Sequence, residues 1–216
     1  MHILTYKPED IPFHLSSFGK FLRTGRNFEN LEPHLGMCQA LYRKYIHLIT
    51  PRIIFTTCKI TNIDHALMRI DLAGNISFKG KGIYKLLRGS ESVIAYCFTL
   101  GPALDEEISK VQKSSIYEAF ILDAIASTII SGIQDLFIEE VEKLPEAGNT
   151  SVTKRFSPGY AGWELKEQRQ LYELLEPGTI GVVLTEDHVL LPTKSVTGVY
   201  GIYKSNIDSP WQSFIM

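Results

Sequence analysis

Apolar residues recur at helical spacing between residues 31 and 49. The positions that share this face are Leu31, Leu35, Cys38, Leu41, Tyr45 and Leu48. Successive members lie three or four residues apart, which is the period of an amphipathic helix. Pro51 follows closely and cannot continue a helix, because it lacks the backbone N–H. The pattern therefore predicts a helix over residues 31–49, with these side chains in the core.

The next apolar stretches have the composition of β-strands. Residues 53–57 and 67–72 are rich in strand-forming residues. Gly74 and Asn75 stand between the second run and residues 76–78, and this pair favours a hairpin turn. The pattern therefore predicts strands joined by a hairpin.

Residues 93–99 are apolar nearly throughout, which predicts a strand covered on both faces. Pro102 follows, and because proline is favoured at the first position of a helix, we expect a helix over residues 103–111. Similar patterns predict a helix over residues 165–175 and strands over residues 181–184, 189–191 and 195–202. Gly198 and Gly201 in the last strand indicate a bulge or the close approach of another group.

Residues 119–138 are apolar on nearly every side and predict a long, buried central helix. The polar residues that interrupt it are Asp123, Ser127, Thr128, Ser131, Gln134 and Asp135. A transmembrane helix is rejected because a bilayer penalises the two carboxylates. A carboxylate on a buried helix needs a partner, and we expect Asp123 to pair with a backbone amide or an arginine rather than with a ligand.

The composition is that of one large folded unit. Apolar residues make up 44% of the 216 residues, enough for a sizeable core. We expect an N-terminal arm, residues 1–30, that packs onto a domain formed by residues 31–216. The formal net charge of −2 and the lack of a basic block argue against nucleic acid as the main partner.

The cysteines Cys38, Cys58 and Cys97 form no C-x-x-C pair, so neither a disulfide framework nor a zinc site is expected. The N-terminus lacks the basic-then-apolar pattern of a signal peptide. Both features fit a reducing compartment, and the predicted location is the cytoplasm. No general acid or nucleophile stands in a recognisable arrangement, so no catalytic or metal-binding residue is predicted.

The run R-F-S-P-G-Y at residues 155–160 carries the strongest candidate chemistry. Pro158 fixes its own φ and pushes the preceding residue away from helical geometry, while Gly159 can adopt a positive φ. The run therefore predicts an extended segment with a tight turn. Arg155 offers a planar fork of donors that suits a carboxylate, and Tyr160 offers an apolar ring with a polar tip. On these six residues alone, a purely structural turn is the favoured interpretation.

Together, the C-terminal motifs resemble the activation domain of cobalamin-dependent methionine synthase, and more closely its free-standing relatives. The matching elements, in order, are R-F-S-P-G-Y, a helix ending in L-L, G-V-V-L-T-E from Gly181, Pro192, and S-V-T-G before Tyr200. Their order and spacing match over residues 150–204. A looser likeness extends back towards the helix predicted over residues 31–49.

The resemblance implies an α+β fold: a single domain with a curved, mainly antiparallel sheet and long packed helices, including a buried central helix. It also implies that S-adenosylmethionine binds in a shallow groove that faces a corrinoid on another domain. In the family, the arginine of this motif meets the carboxylate of the ligand, and bidentate pairing makes physical sense there. The positions that the resemblance assigns to S-adenosylmethionine are Arg155, Pro158, Gly159, Tyr200 and Gly201. Tyr160 matches the tyrosine that lies beside the corrinoid.

The implied function is an accessory module that presents S-adenosylmethionine for reductive methylation, and so reactivation, of cobalamin or another corrinoid. The chain has no D-x-H-x-x-G stretch, so the corrinoid must come on a separate methyltransferase or corrinoid-binding protein. An external reductant such as a flavodoxin or ferredoxin supplies the electron. Whether the chain counts as an enzyme within this methyltransferase system stays open, and no nucleic acid or membrane partner is expected.

The chain departs from the synthase pattern at two places. Residues 161–163 are Ala-Gly-Trp where the synthase has Pro, Cys and His, and no residue among 1–50 can be matched to the aspartate that meets the ligand's amino group. The alternative function is a non-enzymatic interaction protein of a corrinoid system that keeps the fold but not S-adenosylmethionine binding. A hydrolase built on His188 with Asp187 or Glu186 is disfavoured, because these residues lie in a predicted hairpin turn without an activated Ser or Cys.

Overall fold

A computed structural model describes residues 1–23, 30–142 and 150–204. Parts of both predicted segments, residues 24–29, 143–149 and 205–216, lie outside the described residues. The division at residue 30 stays a prediction. The described part of the N-terminal segment lies against the body, where His2–Thr5 adds a strand to the sheet and Phe18 is fully buried.

The described part of the chain contains six α-helices and nine strands. The helices are α1 (Leu15–Phe21), α2 (Glu32–Tyr45), α3 (Lys81–Leu87), α4 (Pro102–Ser114), α5 (Ile116–Glu142) and α6 (Gln168–Leu175). The strands are β1 (His2–Thr5), β2 (Arg52–Asp64), β3 (Arg69–Leu72), β4 (Ile76–Lys79), β5 (Ser92–Thr99), β6 (Thr150–Val152), β7 (Val183–Leu184), β8 (Leu190–Leu191) and β9 (Ser195–Lys204). The sequence patterns did not predict α1, β1 or β6, and the elements that they did predict are confirmed with shifted ends.

Seven strands form one antiparallel sheet in the order β4-β3-β2-β5-β9-β6, with β1 paired to β2. The first half of β2 lies between β1 and β5, whereas its second half pairs with β3. A register shift between Ile60 and Asn62 marks a bulge in this second half, and bulges bend a strand and increase its twist. The bend in the long strand β2 gives the sheet its curled shape. The curled sheet and the helices together form the predicted α+β fold.

Strand β5 separates two hydrophobic cores. Its side chains Ile94, Tyr96 and Phe98 belong to the core that contains α1, α2, α4 and α5, and Val93, Ala95 and Cys97 belong to the core beneath α3 and α6. Successive side chains of a strand point to opposite faces, so a strand with a core on each side must be apolar throughout. This explains the unbroken apolar run at residues 93–99.

Helix α5 is the long helix of the first core. The S-x-x-E spacing of Ser115 and Glu118 predicts a cap at its N-terminus. The cap is present, because Ser115 Oγ accepts a hydrogen bond of 3.2 Å from the backbone N–H of Glu118. The stretch Ile116–Val141 is long and apolar enough to cross a membrane, but 61% of its 18-residue apolar window is buried inside the protein. Burial of this extent is consistent with the core helix of a soluble protein.

The expectation for Asp123 is wrong in two respects. Its side chain is 52% exposed, and its partner is a lysine, since Lys194 Nζ lies 2.7 Å from Asp123 Oδ1. The same ammonium group donates a hydrogen bond of 3.1 Å to Ser127 Oγ. Helix α5 therefore has a narrow polar face, and the nearly buried Lys194 ties that face to the residues just before β9.

Candidate functional site

The segment at residues 155–160 runs along the outer edge of β9 and then turns away. Phe156 and Val199 exchange backbone hydrogen bonds of 2.9 and 3.1 Å. Gly159 has a φ of +89°, which glycine adopts at little cost, and its N–H donates to the Trp163 carbonyl at 2.9 Å. The Trp163 N–H donates to the Tyr160 carbonyl, also at 2.9 Å. The predicted extended segment with a tight turn is confirmed, as is the predicted positive φ.

Trp163 anchors this turn in the second core. Its side chain is 1% exposed, stacks on Phe156 with ring centroids 5.9 Å apart, and meets the edge of Phe78 at 5.2 Å. Gly162 lies against α3, where it accepts a 2.8 Å hydrogen bond from the Gly82 N–H, and a Cβ on Gly162 would lie 2.6 Å from that nitrogen. The Ala-Gly-Trp departure from the synthase pattern therefore builds a close-packed anchor for the turn.

An open groove of about 620 Å³ lies between this turn, helix α5 and the β7–β8 hairpin, along the first residues of β9. Helix α5 contributes Ser127, Ile130, Ser131 and Gln134, and the turn contributes Arg155, Phe156, Ser157, Pro158 and Tyr160. The hairpin contributes His188, Val189 and Leu190, and β9 contributes Ser195, Val196 and Thr197. Gln168 at the start of α6 and Leu165, three residues before it, complete this side. The end of α1 closes the border with Lys20 and Phe21.

Arg155, Pro158 and Tyr160 are brought together on one side of this groove. Arg155 is exposed, and its guanidinium forms no ion pair with any residue that the structure describes. Pro158 is buried at the base of the turn, and the ring of Tyr160 is 68% exposed. The exposed ring fits the corrinoid-facing position that the resemblance gives Tyr160, whereas the roles of all three residues stay predictions.

Tyr200 does not line the groove. It is 5% exposed and packs beneath the turn, with its ring centroid 5.3 Å from that of Tyr96 and 6.2 Å from that of Phe137. Burial raises the pKa of Tyr200 to about 12, and the nearby guanidinium of Arg155 opposes part of this rise. The carboxylate of Asp135 on α5 adds to the rise.

Gly201 is also absent from the groove lining. A Cβ at this position would overlap Ser90 Oγ and lie 2.8 Å from Leu87 Cδ2, and one on Gly198 would overlap the Tyr96 hydroxyl. The predicted close approach at both strand glycines is therefore confirmed. The main chain of Gly201 is engaged by Thr153, whose N–H donates to the Gly201 carbonyl and whose Oγ1 accepts from the Gly201 N–H, both at 2.9 Å.

Gln134 is a groove residue that the sequence patterns did not single out. The residue is 8% exposed, and it lines the groove. Its amide can both donate and accept hydrogen bonds, so it is suited to a polar partner in the groove. The signal in the sequence is the spacing of Ser127, Ser131 and Gln134, which places three polar residues on one face of an otherwise apolar helix.

His188 faces the groove from the tip of the β7–β8 hairpin. It has a φ of +60°, and its Nδ1 is buried without a hydrogen-bond partner in the part of the chain that is described. Its carbonyl accepts a 2.8 Å hydrogen bond from Gln168 Nε2, and Gln168 Oε1 accepts one of 3.2 Å from Thr197 Oγ1. Glu186 and Asp187 are exposed and form no ion pair with His188, so nothing in this geometry supports a hydrolase.

The described residues hold no group of three or more His, Cys, Asp or Glu side chains that could bind a metal ion. Cys38, Cys58 and Cys97 are free thiols, and burial raises the pKa of each. A thiol with a raised pKa is a poor nucleophile near neutral pH. None of the three thiols lines the groove.

Comparison with known proteins gives two matches of different kinds. The sequence model of the family described as the vitamin B12-dependent methionine synthase activation domain matches residues 90–207, more than half of the chain. A solved structure described as the MetH reactivation domain bound to AdoHcy is similar, with a TM-score of 0.75 and 15% sequence identity. The similarity covers 96% of this chain and 79% of that one, and at this identity it shows the fold alone. No curated protein sequence matches the chain.

Proposed function

The chain belongs to the vitamin B12-dependent methionine synthase activation domain family, and from this premise we propose that it binds S-adenosylmethionine in the groove beside Arg155. It presents this ligand for reductive methylation of cobalamin or another corrinoid carried by a separate methyltransferase or corrinoid-binding protein. The reaction moves a methyl group from sulfur to the corrinoid, releases S-adenosylhomocysteine and consumes one electron. An external reductant such as a flavodoxin or ferredoxin supplies that electron.

The proposal rests mainly on the guanidinium of Arg155, which is exposed and forms no ion pair within the described ranges. The ligand is an α-amino acid, and its carboxylate matches the planar fork of an arginine in bidentate geometry. The backbone of Arg155 is fixed on one side by the Phe156–Val199 bridge and beyond it by Trp163. Because the turn is already ordered, little conformational entropy is lost when the carboxylate binds.

We assign the ammonium group of the ligand to Gln134. Gln134, next to Asp135 on α5, lines the same groove as Arg155. Asp135 itself is paired with His14, at 3.1 Å between Nε2 and Oδ2, which leaves Gln134 as the side chain that faces the ligand. Its Oε1 accepts a hydrogen bond from the ammonium, while Arg155 holds the carboxylate.

A group of exposed apolar side chains at the groove supports the corrinoid-facing role. These are Tyr160, Val189, Leu165 and Phe21, which are 68%, 46%, 43% and 38% exposed. All four line the same groove, and exposed apolar side chains that cluster in this way are typical of an interaction surface. The chain's own contribution to the reaction is to hold the methyl donor at this surface, which accelerates transfer through positioning.

The second candidate function is an interaction protein that keeps the fold without S-adenosylmethionine binding. The buried positions of Tyr200 and Gly201 favour it, because neither residue lines the groove although the family resemblance assigns both to the ligand.

Calorimetric titration with S-adenosylmethionine and S-adenosylhomocysteine separates the two functions. Our proposal predicts saturable binding of both at one site per chain. A folded protein that takes up neither ligand would instead select the interaction protein.

A further inference from the structure

Strand β1 is an edge strand, and it pairs with β2 alone. The Tyr6 N–H donates to the Pro51 carbonyl at 3.4 Å, so the hydrogen-bonded pairs of this antiparallel ladder fall on the even-numbered residues of β1. The odd-numbered residues Ile3 and Thr5 therefore direct their N–H and C=O groups away from β2. Among the described residues, these main-chain groups have no hydrogen-bond partner.

The side chains along this open edge are apolar or neutral. Met1 is 59% exposed and Ile3 is 52% exposed. Ile3 lies directly opposite Ile54 of β2, which is fully buried in the second core, so Ile3 continues an apolar row out to the edge. Residues 1–5 contain no Asp, Glu, Lys, Arg or Pro. Edge strands are commonly protected from pairing by lysine, proline or a bulge, and β1 has none of these.

Strand β4, at one end of the sheet, shows the opposite arrangement. The Gly80 N–H donates to the Met68 carbonyl at 3.1 Å, so the N–H of the preceding residue, Lys79, points outwards. That N–H donates to Glu167 Oε2 at 3.1 Å, and the exposed ammonium group of Lys79 adds a charge to the edge. The edge of β4 is thus protected in two ways, whereas the edge of β1 is available to another strand.

We propose that β1 pairs with β1 of a second copy of this chain, antiparallel and about a two-fold axis. Such an edge is self-complementary, because a two-fold rotation brings each outward N–H onto an outward C=O of the identical strand. With the axis at Ile3, the two Ile3 residues form a hydrogen-bonded pair, and Thr5 lies opposite Met1 of the second copy. The seven-stranded sheets of the two copies then join into one continuous sheet.

The side chains favour a second copy as the occupant of this edge. In the proposed register the two Ile3 side chains lie side by side on the same face of the joined sheet, where each covers the exposed surface of the other. No like-charged side chains meet, because residues 1–5 carry none of Asp, Glu, Lys or Arg. The edge is short, so we expect a weak, concentration-dependent dimer. Neither Ile3 nor Thr5 lines the groove, so this dimer goes beyond the proposed function and uses another part of the surface.

The test is sedimentation velocity of the full chain, with no residues added before Met1, over a range of concentrations. We expect the sedimentation coefficient to rise towards that of a dimer. Ile3→Lys places like charges opposite each other and should raise the dissociation constant roughly tenfold. Ile3→Pro removes an N–H that does not bond to β2, and it should weaken the dimer while the chain stays folded by circular dichroism. Ile116→Lys is the matched control, because Ile116 is 76% exposed on α5, and this variant should dimerise like the wild type.

Cysteine cross-linking tests the register. The Cα atoms of the two Ile3 residues would lie about 5.5 Å apart, within the range of a disulfide, so Ile3→Cys should give a cross-linked dimer under mild oxidation. Thr5→Cys should not, because the two Thr5 residues would lie about 14 Å apart along the ladder. The wild-type chain, with its three free cysteines, gives the background.

Three results would overturn the proposal. The first is a chain that stays monomeric at every concentration. The second is a dimer that persists in both Ile3→Lys and Ile3→Pro, since it would then form through another surface. The third is cross-linking of Thr5→Cys as fast as that of Ile3→Cys, which would exclude the two-fold axis at Ile3.

Discussion

Replacement of Arg155 by alanine isolates the contact on which the proposed function depends. The side chain is exposed in the free protein and forms no ion pair within the described ranges, so its removal leaves no buried charge behind. The loss is then that of a charge-assisted bidentate contact in a partly open groove, about 2–3 kcal/mol. We expect Arg155→Ala to weaken S-adenosylhomocysteine binding roughly 30- to 150-fold.

The assay is isothermal titration calorimetry at low salt, with thermal unfolding measured in parallel. Arg155→Lys should recover only part of the affinity, because a point charge replaces a planar fork. Arg169→Ala is the matched control, since Arg169 is equally exposed but lies on α6 outside the groove lining. Unchanged affinity in a folded Arg155→Ala protein, or an equal loss in Arg169→Ala, would refute the reasoning.

Three further predictions use the same groove and its supports. Tyr160→Ala should leave ligand affinity and stability nearly unchanged, because its ring is 68% exposed. It should slow methylation of a partner's cob(II)alamin, measured as the loss of the visible absorption of cob(II)alamin. A large fall in melting temperature would instead place the ring in the core. Trp163→Ala, three residues away, should lower the free energy of unfolding by about 3–5 kcal/mol in urea denaturation, because it leaves a cavity at a buried site. A loss no larger than that of Tyr160→Ala would show that Trp163 does not hold the turn in place. Burial raises the pKa of Tyr200, so the stability that its neutral form contributes is complete below pH 10 and is lost as the pH rises towards about 12. Tyr200→Phe should flatten that alkaline loss of stability, and an unchanged slope would contradict the burial.

Much of the fold follows from local patterns in the sequence. The apolar run of β5 predicts a strand covered on both faces because each side chain must enter one of two cores. The 27-residue α5 follows from its apolar length, and Ser115 marks its start. Asp123 was placed wrongly because the pattern does not show which narrow stripe of an apolar helix reaches solvent, or that Lys194 lies beside it.

The candidate site was predicted only in part, for a reason that lies in sheet topology. The turn at Arg155 carries its own local signal, since Pro158 and Gly159 restrict the backbone. The place of this turn along β9 has no local signal, because it depends on where β6 ends and where Phe156 bridges Val199. The spacing of polar residues on α5 gives a signal for Gln134, but its place in the groove is a property of the packed structure.

The most direct measurement is a crystal structure of the chain soaked with S-adenosylhomocysteine. We expect the ligand in the groove, with its carboxylate on the Arg155 guanidinium and its ammonium within hydrogen-bonding distance of Gln134 Oε1. Density for the ligand at any other place on the protein, or an empty groove at a concentration that saturates binding in solution, would contradict it.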